Sequence, residues 1–253
     1  MSSLIVDGRT LGERAVTRAA RNPATVLSAV VMPLLFFGLF NLVMRRIMDA
    51  RGFDYAQLLP STVVVQAMLF SAMSSAYYIA DDVGSGIVGR FRSMPIHPAA
   101  PLVGRAIGDI VRAFFSLIVV VIFGMLFGMR FDAGLVWIPA YIGVGVLFAL
   151  SASLVMGLIG YGASSPEAAV SIATIPYLPL LMLSTGFAPA EDFPGWLQPF
   201  IENQPITATI DALRALSGDG DIAPTVARAL AWSVGLTIVF LALGARRFRK
   251  VTS

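Results

Sequence analysis

The sequence predicts an all-α integral membrane protein with six transmembrane helices, an N-terminal amphipathic interfacial helix and short outer re-entrant helices before the last span. Of its 253 residues, 57% are hydrophobic and only 13% are charged. Soluble domains carry roughly 25% charged residues, so this shortfall is typical of a membrane protein. Six charge-free runs can each cross a bilayer, which takes about 20 residues. We expect residues 1–22 to form the interfacial helix and residues 23–253 the six-span domain.

The first helix is predicted from its periodicity. Ile5 and Ala19 fall on one half of a helical wheel, whereas Arg14 and Arg21 fall on the other. Such a helix lies in the membrane interface with its arginines near the lipid phosphates. A solvated helix is the alternative, but the bilayer-spanning run that starts directly after it favours the interface.

The six spans lie within the charge-free runs. A charge at the bilayer centre costs roughly 2.5–3.5 kcal/mol, so runs without any charge indicate membrane crossing. Asp109 and Arg112 lie at the start of the third span, where a long Arg side chain reaches the headgroup region. The spans are predicted near residues 25–44, 59–80, 109–129, 134–160, 168–187 and 228–245.

The cations predict the orientation of the bundle. With a cytoplasmic N-terminus, about twice as many Lys and Arg residues fall on the inner segments as on the outer ones. This favours a multi-pass protein of the cell inner membrane with both termini cytoplasmic. The first outer loop contains Arg45, Arg46 and Arg51, which favour the opposite orientation. Because the arginines flank apolar segments and form no single patch, they do not indicate a nucleic-acid partner.

Uncharged polar residues interrupt the first two spans. Asn41 lies in the first span, and Gln66, Ser71, Ser74 and Tyr78 lie in the second. Polar groups in lipid need partners, so we expect these side chains to face other helices or a cavity. They either hold the bundle together or line a substrate path, and the sequence leaves both open.

Small residues at a spacing of four predict close helix packing. One pair of glycines, Gly124 and Gly128, belongs to the third span. The fourth span carries the ladder Gly145, Ala149, Ser153 and Gly157.

The inner loop between the second and third spans, residues 81–98, has a mixed pattern. Acidic residues come first and arginines follow, an order that complements the dipole of a short surface helix. Exposed apolar groups beside Arg are typical of a protein interface, so we expect a partner to dock here. A connector held by lipid headgroups is the alternative. The candidate docking residues are Asp81, Asp82, Gly86, Arg90, Arg92 and Met94.

The outer segment, residues 187–227, is the longest stretch between spans. Prolines divide it into apolar pieces that are too short to cross a bilayer. We expect short helices that dip into the outer leaflet around Asp192, Trp196 and Gln198, with Trp196 as an interfacial anchor. The segment is either a moving lid or a passive cap.

The residue inventory excludes several kinds of chemistry. With no cysteine and one histidine, thiolate catalysis is excluded and a Cys/His metal site is not expected. A nucleotide-binding G-x-x-x-x-G-K-[ST] loop needs a lysine after glycine, but Lys250, the one lysine, follows Arg249. We predict no catalytic residue, no metal and no cofactor in this chain. If ATP drives it, another polypeptide must hydrolyse the ATP.

Two segments resemble the permeases of ABC exporters of the daunorubicin-resistance (ABC-2) type. In the inner loop the residues that carry the resemblance are Asp82, Gly86, Arg90, Arg92, Ser93 and Pro95. In the outer segment they are residues 194–200, 203–205 and 211–214. With the amphipathic start and the six-span plan, the resemblance covers nearly the whole chain.

The resemblance implies partners and a cargo. Such permeases act as dimers, here expected to be homodimers, and pair with two copies of a cytosolic ATPase that binds ATP and Mg²⁺. The inner loop would hold the coupling helix that docks on this ATPase, braced by the N-terminal helix. The cargo would be a hydrophobic or amphipathic drug, antibiotic or lipid, moved outward. Gly84, Gly86 and Gly89 depart from the acidic and Arg residues usual at this place, so the docking contacts are expected to differ in detail.

Two other function classes fit the sequence less well. A secondary transporter driven by an ion gradient normally places ionisable groups in mid-membrane, and the predicted span centres lack them. A membrane-embedded enzyme would need a nucleophile with a base or facing carboxylates. His97 lies in a loop, and the carboxylates of Asp81 and Asp82 are adjacent. The choice of cargo and of homodimer or heterodimer stays open.

Overall fold

The computed structural model describes residues 10–13, 16–17, 23–52, 54–87, 100–218 and 220–251. Most of these residues are helical and none lies in a strand, as the sequence predicts. The helices are α1 (Pro23–Ala50), α2 (Tyr55–Gly84), α3 (Ala100–Leu126), α4 (Ile138–Gly162), α5 (Pro166–Met182), α6 (Gln198–Asn203), α7 (Pro205–Ser217) and α8 (Ile222–Val251). The short 3-10 turns Leu135–Trp137 and Ala190–Asp192 precede α4 and α6.

Within the described residues, five helical stretches are long and apolar enough to cross a membrane. They are Val31–Ala50, Tyr55–Gly84, Gly104–Leu126, Leu135–Gly162 and Ile222–Gly244. The remaining predicted span corresponds to α5, which has only 17 residues. An all-helical chain with five candidate membrane spans is thus confirmed within the described residues, whereas a crossing by α5 stays a prediction.

The shortness of α5 has a local cause. Pro176 and Pro179 lie inside the helix, and each lacks the N–H that would bond to the preceding turn. The last turn closes when the Leu183 N–H donates to the carbonyl oxygen of Pro179 at 2.9 Å. The predicted span 168–187 therefore extends several residues too far, because the chain leaves the helix after Met182.

The second helix, α2, lies at the centre of the bundle. It contacts α1, α3, α4, α5 and α7. The small side chains of Ala67, Ala72 and Ala76 are fully buried, which lets neighbouring helices approach closely. The apolar run of α2 therefore packs against protein along most of its length.

The faces of α1 and α8 that point away from the bundle are apolar. Leu35 and Leu42 on α1 and Ile238 on α8 are all more than half exposed. Soluble monomers rarely expose continuous apolar surface of this kind. These faces fit contact with lipid hydrocarbon or with another membrane protein.

The small-residue ladder of α4 packs as predicted, since its four members are all buried. A Cβ added at Gly145 would lie 2.5 Å from Leu117 of α3. One turn past the ladder, a Cβ at Gly160 would lie 2.6 Å from the carbonyl oxygen of Ala76 of α2. The glycine pair predicted for the third span is wrong as a helix motif. Gly128 lies beyond the end of α3, in a turn with φ +112° that favours glycine.

The N-terminal helix is confirmed in part. Residues 10–13 and 16–17 are helical. A Cβ added at Gly104 of α3 would lie 2.5 Å from Leu11 and 3.0 Å from the backbone nitrogen of Gly12. The two backbones therefore cross closely at the start of α3. The other residues of the predicted helix 1–22 lie outside the described residues.

Candidate functional site

An ion pair joins α2 to α3 at what we call the inner end of the bundle, where α2 ends and α3 begins. Arg105 Nη2 donates to Asp82 Oδ2 at 2.6 Å, and Nη1 donates to the carbonyl oxygen of Ser75 at 3.3 Å. The two charged side chains are only about one-fifth exposed. The pair thus connects the two helices on either side of the predicted docking loop.

The final turn of α2 differs from the prediction. Asp81 and Asp82 complete α2, which ends at Gly84, and do not start a new surface helix. No helix breaker precedes the glycines, so the helix continues through both acidic residues. Ser85 then donates its N–H to the carbonyl oxygen of Asp81 at 2.9 Å, and Gly86 adopts φ +70°. A positive φ favours glycine, which explains the residue type at this turn.

The structure describes half of the candidate docking residues. Asp81, Asp82 and Gly86 lie together at the inner end, on the last turn of α2 and in the turn that follows. Arg90, Arg92 and Met94 fall outside the described residues. A docking role for all six stays a prediction.

A second ion pair lies one turn further into α3. Arg112 donates to Asp109, and their side chains are only 11% and 7% exposed. The guanidinium carbon of Arg112 also lies 5.4 Å from the ring centroid of Tyr78 on α2, a cation–π contact. Arg112 is therefore paired within the protein, whereas its position relative to the headgroups stays a prediction. Its charge is neutralised locally by the carboxylate three residues before it.

The polar residues predicted in the first two spans are spread along α1 and α2, and their role in a substrate path stays a prediction. Gln66 and Tyr78 lie twelve residues apart on α2, about 18 Å along a helix. Ser71 is buried and Ser74 is partly exposed. Asn41 is 8% exposed on α1. Tyr78 belongs to the charged cluster of the inner end, whereas the others lie deeper in the bundle.

Sequence reasoning missed the partners of Gln66. Its side chain lies beside the hydroxyl of Tyr177 on α5, and that ring packs against Phe70 with centroids 5.1 Å apart. Within the described part of the chain, Gln66 Nε2 and Asn41 Nδ2 form no hydrogen bond. Buried polar groups without partners are costly, so these positions are candidates for contact with water or cargo.

A polar network lies at what we call the outer end of the bundle, where α7 packs beside the start of α2. Arg214 of α7 donates to the carbonyl oxygens of Thr185 at 2.8 Å and Gly186 at 3.1 Å, and to Thr62 Oγ1 at 3.3 Å. Burial lowers the pKa of Arg214 to about 10, and the Asp211 carboxylate opposes this shift. Arg214 therefore remains charged at neutral pH and is held mostly by backbone carbonyls.

Asp211 extends the network to the last helix. Its carboxylate accepts from Thr185 Oγ1 at 2.9 Å and from Arg228 Nη2 of α8 at 2.5 Å. Asp211 thus joins α7 to α8 and to the segment after α5. The predicted last span begins at residue 228, but α8 begins six residues earlier, which places Arg228 inside the helix and within reach of Asp211.

Gln57, which the sequence does not single out, bonds to two further segments at the outer end, the loop after α3 and the end of α7. Its Nε2 donates to the carbonyl oxygens of Arg130 at 2.7 Å and Ser217 at 2.9 Å. Its Oε1 accepts from the Arg130 N–H at 2.9 Å. One amide therefore joins the start of α2, the loop after α3 and the end of α7.

The outer segment contains short helices, as predicted, whereas their re-entry into the membrane stays a prediction. Asp192 lies in a 3-10 turn, Trp196 is 81% exposed, and Gln198 donates to the carbonyl oxygen of Phe193 at 2.9 Å. The longest piece, α7, is almost entirely buried within the bundle. Asp211 and Arg214 lie among apolar residues of α7, and this pattern could have indicated from the sequence that α7 is buried and that the two charges have partners.

Comparison with known proteins places these features in a family. A family described as ABC-2 type transporter matches residues 8–217. A daunorubicin resistance ABC transporter permease of Streptomyces coeruleorubidus is 29% identical over 240 residues, which cover 93% of this chain and 83% of that protein. A probable doxorubicin resistance ABC transporter permease of Mycobacterium tuberculosis is 26% identical, covering 92% of this chain and 86% of that protein. A second doxorubicin resistance permease of that organism is 32% identical, covering 74% and 66%.

Proposed function

We propose, from the finding that this chain belongs to the ABC-2 type transporter family, that it is the permease subunit of an ATP-driven exporter. The observation that supports this most directly is the family match, which spans the inner and outer ends alike. The similar drug-resistance permeases extend over more than nine-tenths of the chain in two cases. The proposed cargo is a hydrophobic or amphipathic compound such as a drug, an antibiotic or a lipid.

The proposed energy source is a separate cytosolic ATPase. In this proposal two copies of the ATPase bind ATP and Mg²⁺ and dock on two copies of the permease. The docking loop lies between α2 and α3, whose ends are joined by the pair Asp82–Arg105. A loop anchored at both ends transmits the movement of a docked partner into the helices that carry it. The inner end therefore faces the cytoplasm, with both chain termini on the same side of the inner membrane.

The cargo route is proposed to pass the buried polar groups of α1 and α2. Asn41, Gln66, Ser71 and Ser74 lie between the charged inner end and the polar outer end. An apolar route with a few polar side chains suits an amphipathic compound, because those side chains select its orientation. Variants in which Gln66 becomes Leu test this, since they should change the preference among cargoes with different hydroxyl groups.

Purification of a tagged chain with its ATPase tests the function. The unaltered chain alone should show no ATP hydrolysis, and the ATPase should co-purify with it. Arg90→Glu combined with Arg92→Glu should lower the recovered ATPase at least several-fold, because the reversed charges would be repelled by a partner surface that attracts the arginines. Arg45→Glu with Arg46→Glu, at the other end of the bundle, is the matched control. Full recovery with the Arg90/Arg92 variant would contradict the docking assignment.

A further inference from the structure

Three separate elements meet at the Arg214 guanidinium. Its nitrogens donate to the carbonyl oxygens of Thr185 and Gly186, in the segment after α5, and to Thr62 Oγ1 of α2. The Thr62 hydroxyl in turn donates to the Gly186 carbonyl oxygen at 2.9 Å. We call Thr62, Thr185, Gly186, Asp211 and Arg214 the outer latch.

The outer latch differs from the rest of the core in what holds it together. The seam between α2 and α4 is packed closely on glycines, as at Gly157, where an added Cβ would lie 2.7 Å from Ile79, so opening it would expose apolar surface. The latch is held by hydrogen bonds to hydroxyls, carbonyls and a carboxylate. Water can replace such bonds at modest cost when the seam opens. A polar seam is therefore the easier place for the bundle to open.

The elements on one side of this seam are also short. The segment between α5 and α6 is not helical at Thr185 and Gly186, and α7 has only 13 residues. Neither is among the candidate membrane spans of the described residues. Movement of these elements at the outer end therefore does not require a candidate span to leave the membrane.

We propose that Arg214 is a positioning residue that holds the outer latch closed, and that the latch separates from α2 when cargo leaves on the outer side. The inference rests on the proposed function, because only a permease needs an outer opening. Closed, the latch seals the end of α2 against water. Open, it exposes Thr62, whose side chain is fully buried in the closed bundle.

The absence of cysteine from the chain allows a direct test. Thr62→Cys is introduced, the transporter is assembled with its ATPase in vesicles, and a membrane-impermeant maleimide is added on the outer side. We expect modification to be at least tenfold faster with ATP and cargo than without them. Equal slow rates while export proceeds would overturn the proposal. Ser184→Cys, equally buried, serves if position 62 does not tolerate cysteine.

Trp196→Cys is the matched control, because that side chain is 81% exposed and should react in both conditions. The unaltered chain reports on the proposed function separately. If it fails to export at all with ATP and its ATPase, the proposed function is wrong. If it exports and the cysteine at position 62 stays protected, only the latch is wrong.

A crosslink provides a second, independent measurement. A Cβ added at Gly186 would lie 2.7 Å from Thr62 Cγ2, so cysteines at both positions are close neighbours and can be tested for a disulfide. Oxidation of the double variant should lower export at least tenfold, and a reductant should restore it. Export by a fully crosslinked protein at the rate of the reduced one would contradict opening at this seam.

Discussion

Arg105 Nη2 lies 2.6 Å from Asp82 Oδ2, so the last turn of α2 and the second turn of α3 are joined by an ion pair across the base of the inner loop. Close to it, the backbones of the N-terminal helix and α3 cross at Gly12 and Gly104. Three elements therefore meet where a docked partner would act. The predictions below follow from this junction and from the contacts of the outer end.

Breaking the inner ion pair should uncouple docking from transport. Asp82→Asn or Arg105→Gln should lower export several-fold while the ATPase still binds, because the ends of the loop lose a contact of about 1 kcal/mol. Export and ATPase recovery are measured on the same preparations. The charge swap Asp82→Arg with Arg105→Asp should restore part of the export. Asp49→Asn removes an exposed pair with Arg45 at 3.7 Å but keeps an amide oxygen that can accept from the Tyr55 N–H, so export should not change.

Packing of α4 on α2 should not tolerate a methyl group at Gly160. The added Cβ would lie 2.6 Å from the carbonyl oxygen of Ala76, a backbone atom that cannot move aside. We expect Gly160→Ala to lower the free energy of unfolding by about 1–3 kcal/mol. Thermal unfolding in detergent measures the loss. Gly143→Ala on the same helix meets nothing within 4 Å and should be tolerated, and equal losses in both variants would refute this packing.

The Gln57 amide should not tolerate replacement by a carboxylate. Gln57→Glu would bring an acceptor-only group against the carbonyl oxygens of Arg130 and Ser217, both of which now accept from Nε2. The loss of these partly exposed hydrogen bonds should cost about 1 kcal/mol of stability. Denaturation with a chaotrope measures this. A stability within 0.5 kcal/mol of the original, roughly the effect of an ordinary surface change, would show that the amide is not needed.

Asp211 should contribute more to the stability of the folded protein than the other acidic residues of the outer segment. Asp211→Asn removes the carboxylate that pairs with Arg228 and attracts Arg214. Arg214 and Arg228 would then lack their counter-charge. Removing one partner of a buried ion pair lowers the free energy of unfolding by about 3–5 kcal/mol. We expect a smaller loss here, because Asp211 is partly exposed. The melting temperature of the purified protein measures this loss. Asp192→Asn, at an exposed turn, should leave it unchanged.

Hydropathy predicted most of the fold, because lipid imposes one simple rule on sequence: the spans must lack charges. Each of the five candidate spans overlaps a predicted one. Hydropathy failed at helix ends, where local bonds decide, as at Leu183 after α5 and at Ser85 after α2. Periodicity also identified the packing ladder of α4, since small residues at a spacing of four have few other uses in a membrane helix.

The contacts of the candidate site were harder to predict from the sequence than the fold. Asp82 was identified in the docking loop, but its partner Arg105 lies 23 residues away and no pattern connects them. Arg214 and Thr62 are 152 residues apart, and their contact depends on how α7 packs into the bundle. Contacts of this kind follow from tertiary packing, which single-sequence periodicity does not describe.

The central claim is that this chain conducts cargo while a soluble partner supplies the energy. Reconstitution into vesicles, with cargo movement measured under each energy source in turn, tests it most directly. We expect export with ATP and the ATPase subunit, and no uphill movement by the permease alone under a proton or sodium gradient. Uphill movement by the isolated chain on an ion gradient would contradict the claim.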